Sequence, residues 1–409
     1  MKPLRSMKPL TYEEALALAL EAVPSPEPEL IPIARSCGRV TAGTVAAPMD
    51  FPAFDNSSMD GYAVRAANVH HASPDAPVSL RLVGTVAAGQ WLEKPLSPGT
   101  CARISTGAAL PDGADAVVMQ EDSRTHSTRE NEVEFLDAPK PWENVRLKGE
   151  LVKTGSSLSK AGEVITPGMA ALLAAVGLDR VKVMRQPVLG IMATGSELIE
   201  PGTPLPKGKI YESNRLGLAQ LAGSVCGQPK ILPLVPDELA ATEQALERAF
   251  EVCDAVITCG GVSVGPMDFV KSAFTRIGGE LRLWRVAIKP GRPFVLGTMG
   301  KKVLFGLPGN PVSAMVTFLL LVRPALLKWQ GAARLGLPVS LGQLAEPLSN
   351  PEERRHFLRV QVDEQGLVRS AGVQESHALN SLAAANGLID LAPGTNLPAG
   401  ALVRVLRWN

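Results

Sequence analysis

Between Pro187 and Leu327 apolar strand patterns alternate with helical ones, and this alternation constrains the fold more than any other feature of the chain. Val188 to Ala193 is a continuous apolar run, and helical spacing follows from Asn214 to Val225. A strand at Lys230 to Leu234, a helix from Asp237 to Phe250, a strand at Asp254 to Thr258 and a helix near Asp268 to Arg276 come next. Short strands near Leu283, Phe294 and Val303 lead to an apolar helix from Pro311 to Leu327. Continuous apolar strands separated by helices predict a doubly wound α/β domain.

The flanking segments have a different texture. Thr11-Tyr-Glu-Glu14 reads as a capping box that opens a helix to about Val23, stopped by Pro24, Pro26 and Pro28. From Phe51 to about Asp137 short runs (Val78 to Val86, Cys101 to Ile104, Ala116 to Met119, Val133 to Leu136) are separated by Gly, Pro and Asp, which predicts a small β-rich domain. A Gly-rich stretch, Val145 to Gly168, leads into a helix from Pro167 to Val176. After Gly331 short strands return, with turns at Glu364-Gln-Gly366 and Pro393-Gly394. The fold class is therefore α/β plus β. At 409 residues the chain has room for roughly two to four domains.

Composition narrows the function. Lys and Arg number 41 against 40 Asp and Glu, and aromatic residues are 4%, so neither a phosphate-binding basic excess nor a base-stacking platform is present. Nucleic acid is not an expected partner. The longest apolar stretch, Met315 to Val322, is broken at Arg323 and falls short of the ~20 residues of a membrane span. Five cysteines without CxxC spacing indicate neither a disulfide framework nor a zinc site, and a reducing cytoplasm fits. The N-terminus lacks a signal-peptide core, and its duplicated MKPL leaves Met1 and Met7 as alternative starts.

In an open α/β sheet ligands bind beyond the carboxyl ends of the strands. Three Gly- and Pro-marked loops leave such ends: Ala193 to Leu198, Cys259 to Asp268 and Gly306 to Ser313. The third opens a helix, whose unsatisfied N–H groups and positive dipole end suit an anion. Pro311 fits the first turn, Gly309 allows close backbone approach and Ser313 adds a hydroxyl. Just upstream, Lys289 and Arg292 supply two cations.

Asp50, Asp55 and Asp60 lie in a loop, where aspartates serve as turn formers; with Glu197, Asp237 and Asp268 they are alternatively the oxygen ligands of Mg²⁺. Gly261-Val-Ser-Val-Gly265 matches a nucleophile elbow, but its flanking Gly260 and Pro266 do not suit a strand-turn-helix, and His356 and His377 lie in the β-rich tail. His70-His71 reads as solvated surface, and no Walker-type phosphate loop occurs.

Taken together, DNSSMDGYAVR (55–65), RISTGAALPDGADAVVMQED (103–122), ATGSEL (193–198), IYESNR (210–215), CGGVSVGPMDFVK (259–271), AIKPGRPF (287–294) and GLPGNPVSA (306–314) resemble the molybdopterin molybdenumtransferase family, relatives of the C-terminal region of gephyrin. The resemblance implies insertion of molybdate into adenylylated molybdopterin with Mg²⁺ and release of AMP. It also implies an elongated homodimer of four-domain subunits, with 1–48 and 142–180 as a linker and dimerisation domain, 49–141 as a small β-rich domain, 181–330 as the α/β domain and 331–409 as a C-terminal β-rich domain. Molybdopterin adenylyltransferase and apo-molybdoenzymes are the implied partners.

Carried over by motif, Asp60 and Thr106 are implied active-site residues from the β-rich domain, facing Glu197, Asp237, Asp268, Lys289 and Arg292 of the other subunit. Asp60, Glu197 and Asp268 are the implied metal ligands. Ser263, Pro308, Gly309, Pro311, Ser313 and Ser376 complete the implied substrate site. Two positions depart from the family pattern: Leu151 stands where relatives often carry an acid, and Ser196 replaces an acid of some relatives. These departures leave a non-catalytic or specialised paralogue, acting as cofactor carrier or scaffold, as the alternative. Tungsten in place of molybdenum is not separable by sequence.

Overall fold

A computed structural model describes residues 9–125, 129, 131–225, 227–262 and 268–408. The central segment folds around a six-stranded sheet in the order Gln228–Ile231, Val188–Ala193, Ala255–Cys259, Lys302–Leu307, Val295–Met299, Glu280–Trp284. The first four strands are parallel, and Val295–Met299 alone runs antiparallel, to Lys302–Leu307 on one side and Glu280–Trp284 on the other. From Ala193 the chain leaves toward one edge strand, whereas Cys259, paired with Ala193, leaves toward the other. Diverging connections of this kind open a crevice at the carboxyl ends of the strands.

The core is built on the helix Pro311–Trp329, whose Phe318, Leu321, Val322 and Leu326 are fully buried with Leu189, Ile191 and Phe305 of the sheet. Each such side chain contributes about 1.5–3 kcal/mol by leaving water. The helix runs through Arg323, as the span expected from Pro311 to Leu327 requires, and the guanidinium that ends the apolar run donates to Leu335 O at 2.9 Å. It is long and apolar enough to cross a membrane, yet 83% of it is buried inside the protein, the behaviour of a core helix. A π turn at Phe318–Val322 interrupts it.

The N-terminal helix Tyr12–Ala22 carries the expected capping box: Glu14 N donates to Thr11 Oγ1 at 3.2 Å, and Thr11 N donates to Glu14 Oε2 at 2.8 Å. Its Ala15 and Ala19 pack into the α/β core, apart from the strand Pro28–Pro32, which pairs with Arg180–Met184. The β-rich segment forms a second six-stranded sheet in the order Ala116–Met119, Gly61–Val64, Thr100–Ile104, Val78–Val86, Glu132–Phe135, Ser123–Thr125.

At the C-terminus Arg355–Val362, Leu367–Ser370, Val339–Leu344, Leu402–Arg407 and Gly387–Leu391 pair in sequence, and the last pairs back with the first, closing a ring without free edges. One further strand joins this sheet from outside: Ile288–Lys289 of the α/β segment runs parallel to Arg355 and His356. That pairing fixes the C-terminal barrel beside the ligand loops.

Candidate functional site

The three Gly- and Pro-marked loops converge on one cleft of about 930 Å³, with the C-terminal barrel supplying a further wall through Arg354 and residues 374–377. Glu197, Asp237, Asp268, Lys289, Arg292, Pro308, Gly309, Pro311, Ser313 and Ser376 all line it. Ser263, and with it most of the nucleophile-elbow match, lies outside the described residues.

The first loop is held by a reciprocal pair. Ser196 N donates to Asp237 Oδ2 at 2.9 Å, and Asp237 N donates to Ser196 Oγ at 3.0 Å. Ser196 thus anchors Asp237. The Glu197 carboxylate folds over Gly195, where a Cβ would meet its oxygens at 2.8 and 2.9 Å. In the second loop Gly260 takes φ +86°, and a Cβ there would lie 2.6 Å from Thr194 O. Only glycine permits that contact between neighbouring loops. Thr194 Oγ1, buried beside it, has no hydrogen-bond partner among the described residues.

The third loop starts the core helix. Asn310 occupies the N-cap position and Pro311 the first turn, so the amides of Val312 and Ser313 have no acceptor within the helix. Asn214 Nδ2 donates to Gly309 O at 2.7 Å, and Asn310 Nδ2 donates to Ser376 Oγ at 2.7 Å, tying the helix end to the barrel loop. That loop hangs on fully buried Arg359, whose guanidinium donates to Ser381 Oγ at 2.8 Å, Val373 O at 2.9 Å and Glu375 O at 3.2 Å.

Charge in the cleft is mixed. Arg292 is exposed, whereas Lys289 Nζ donates to the Glu352 carboxylate, which also accepts from Arg354. The Lys289 hydrogen bond is the main reason the Glu352 carboxyl sits below its usual range. Cys259 also lines the cleft, but complete burial pushes its thiol far up, so it supplies no thiolate at neutral pH.

Behind Lys289, His356 is 7% exposed and its Nε2 has no partner among the described residues. Burial first, then the charge of Lys289, lowers its pKa from 6.5 to about 4. The unfolded chain therefore binds a proton there before the folded one does. Stability is full above pH ~6.5 and declines as pH falls toward 4, by a few kcal/mol. A His356→Gln variant is expected to flatten that decline in urea titrations between pH 7 and 4. An unchanged acid slope would remove His356 as its source.

Asp60 and Thr106 are not among the cleft-lining residues of this chain. Both are exposed, and Thr106 N donates to Asp60 Oδ1 at 2.8 Å. Asp50 and Asp55 act as loop acceptors: Asp50 takes Thr154 N and Oγ1 at 2.8 Å each, and Asp55 takes Lys148 N at 2.7 Å. The turn-forming alternative accounts for both. Leu151 is 65% exposed. His70 and His71 lie against each other on the exposed surface with their rings tilted by 46°, and His70 Nδ1 contacts Ala67 O at 2.8 Å. Sequence reasoning missed Arg354 and Glu352, which sit in an undistinguished Glu-Glu-Arg-Arg run; it also missed Asn214 and Asn310, whose roles depend on loops that meet only in space.

Three family models match the chain: the MoeA N-terminal region (domain I and II) over 10–177, a probable molybdopterin binding domain over 190–328 and the MoeA C-terminal region (domain IV) over 342–408. A molybdopterin molybdenumtransferase of Haemophilus influenzae is 36% identical over 407 residues, covering 98% of this chain and 99% of that protein. Molybdopterin molybdenumtransferase 2 of Mycobacterium tuberculosis is 37% identical over 390 residues, covering 93% and 95%. Among solved structures, the molybdopterin biosynthesis moeA protein of Pyrococcus horikoshii superposes with a TM-score of 0.80 at 30% identity, covering 98% of this chain and 100% of that one.

Proposed function

Because this chain belongs to the molybdopterin molybdenumtransferase family, a transferase family of molybdenum cofactor biosynthesis, we propose that its cleft takes adenylylated molybdopterin and molybdate and releases AMP with the finished cofactor. The observation that carries this reading is the convergence of the helix end at Ser313, the Arg292 guanidinium and the Glu197 and Asp268 carboxylates on one 930 Å³ cleft.

The ligand's phosphates are anionic, and the helix-end amides with Arg292 are the donors suited to them. Ser313, 5% exposed, adds a hydroxyl at the same helix end. Asn310 and Ser376 hold the barrel loop against the helix end, which narrows access of water to bound phosphate. Among the described residues no group of three His, Cys, Asp or Glu is placed to hold a metal alone. Mg²⁺ does not require one, since it is commonly held by one or two carboxylates with phosphate oxygens and water. Glu197 and Asp268 fit that donor set, and Mg²⁺ bound there would stabilise the charge on the departing AMP phosphate.

Asp60 and Thr106 enter this scheme from a second copy of the chain, whose β-rich segment would face the cleft. A homodimer with shared sites is thus part of the proposal, as are a molybdopterin adenylyltransferase that supplies the ligand and apo-molybdoenzymes that receive the product. The four described cysteines are free, and the cytoplasm is the location that goes with this proposal. Incubation with Mg²⁺, molybdate and adenylylated molybdopterin should release AMP and yield cofactor that activates an apo-molybdoenzyme. Ligand binding without AMP release would instead mark a carrier, the alternative left open by a leucine at position 151 in place of an acid.

A further inference from the structure

Three cations line the cleft, and they are not equivalent. Arg292 is exposed with no ion pair to a described residue, whereas Lys289 and Arg354 both reach a single carboxylate that does not itself line the cleft. Each oxygen of Glu352 takes one of them: Oε1 accepts from Lys289 Nζ, and Oε2 accepts from Arg354 at 3.0 Å. Lys289 comes from the α/β segment and Arg354 from the barrel, so the carboxylate sits across the junction fixed by the pairing of Ile288–Lys289 with Arg355 and His356.

The loop that carries Glu352 is built to stay there. Asn350 is buried, its Nδ2 donates to Arg354 O at 2.9 Å, Leu391 O at 3.1 Å and Ala392 O at 3.1 Å, and its Oδ1 accepts from Glu352 N at 3.3 Å. An anion entering the cleft therefore meets Arg292 directly. It must draw on Lys289 and Arg354 against a carboxylate already bonded to both.

We propose that Glu352 is a resident competitor for the phosphate groups of the ligand, and that Arg354 is a ligand-binding residue which, with Lys289, is released from it in proportion to the ligand's negative charge. The inference rests on the cleft being the site of an anionic phosphoanhydride. It assigns a specificity role to two residues. Anions of low charge find one unscreened cation, and a polyanion recruits three.

The test is calorimetric titration of the full chain with inorganic pyrophosphate. Glu352→Gln should tighten binding about two- to fivefold, the range expected for one partly exposed charge pair. It should also steepen the loss of affinity with added salt. Glu352→Asp, which keeps the charge, should bind as the parent does. In a Lys289→Ala/Arg354→Gln background the gain from Glu352→Gln should vanish, because the cations it screens are gone.

Unchanged or weaker binding by a Glu352→Gln protein that melts normally overturns the inference, and so does an equal gain in the background without both cations. Should Glu352→Gln melt early, Arg354→Gln alone decides: a loss of twofold or more supports the role, and an unchanged Kd removes it. Pyrophosphate binding that is indifferent to Arg292→Ala would instead sink the reading of the cleft as an anion site.

Discussion

Mixing two inactive variants, Asp60→Asn and Asp268→Asn, should restore AMP release to about a quarter of the parent rate. Each variant alone is expected to lose activity on the order of a hundredfold, because a carboxylate that holds the metal or faces the phosphate cannot be replaced by an amide. If each cleft joins Asp60 of one chain to Asp268 of the other, a mixed dimer concentrates both substitutions in one site and leaves the second intact. Random assortment makes half the dimers mixed. The geometry behind this expectation is the separation found within one chain: Asp268 lines the cleft, whereas Asp60 lies exposed on the β-rich segment with Thr106 N on its Oδ1. Co-expression with two affinity tags isolates the mixed dimer for assay. A purified mixed dimer as inactive as its parents would mean that each site takes Asp60 and Asp268 from one and the same chain.

The second large effect is on stability. Arg215→Met should destabilise the α/β segment by about 3–5 kcal/mol, the range for stripping one partner from a buried ion pair. Arg215 is 3% exposed and donates to Glu212 Oε2 at 2.8 Å, to both oxygens of Glu200 at 2.8 Å and to Leu232 O at 2.5 Å. Burial works against its charge, and the hydrogen bonds to Glu200 and Glu212 outweigh burial and raise its pKa. Glu212, 5% exposed, would keep a buried carboxylate with no counter-ion. Glu200 is 56% exposed, so Glu200→Gln should cost about 1 kcal/mol or less. Urea denaturation followed by tryptophan fluorescence, to which Trp284 and Trp329 of this segment contribute, separates the two. Equal small shifts would show that the Glu212 charge is relieved by other means.

Much of the α/β segment was legible because its inner strands are buried on both faces and read as continuous apolar runs. Strand Ala255–Cys259 and helix Pro311–Trp329 follow from local pattern alone. Two boundaries moved for physical reasons. The strand expected at 230–234 is Gln228–Ile231, an exposed edge in which Pro233 cannot extend the pairing. The helix end expected at Leu327 extends to Trp329 because no breaker stands between Leu327 and Gly331.

The site was legible where its residues lie in Gly- and Pro-marked loops at strand ends, as with Glu197, Arg292 and Ser313. Arg354 and Glu352 were not, since their importance arises from a strand that crosses from one segment to another. No local pattern encodes such a crossing. Ser376 was expected in the site through the resemblance, but its 2.7 Å bond to Asn310, 66 positions away, follows from no local pattern.

The strand Ile288–Lys289 also bears on how this architecture can be taken apart. A fragment begun after Gly331 would contain all five strands of the closed ring, yet Arg355 and His356 would lose the backbone partners supplied by the preceding segment. The barrel is thus not a cassette that can be cut out, exchanged or fused elsewhere at its sequence boundary. Grafting it onto another member of the family would mean transplanting residues 288 and 289 as well, and with them the loop that carries Arg292.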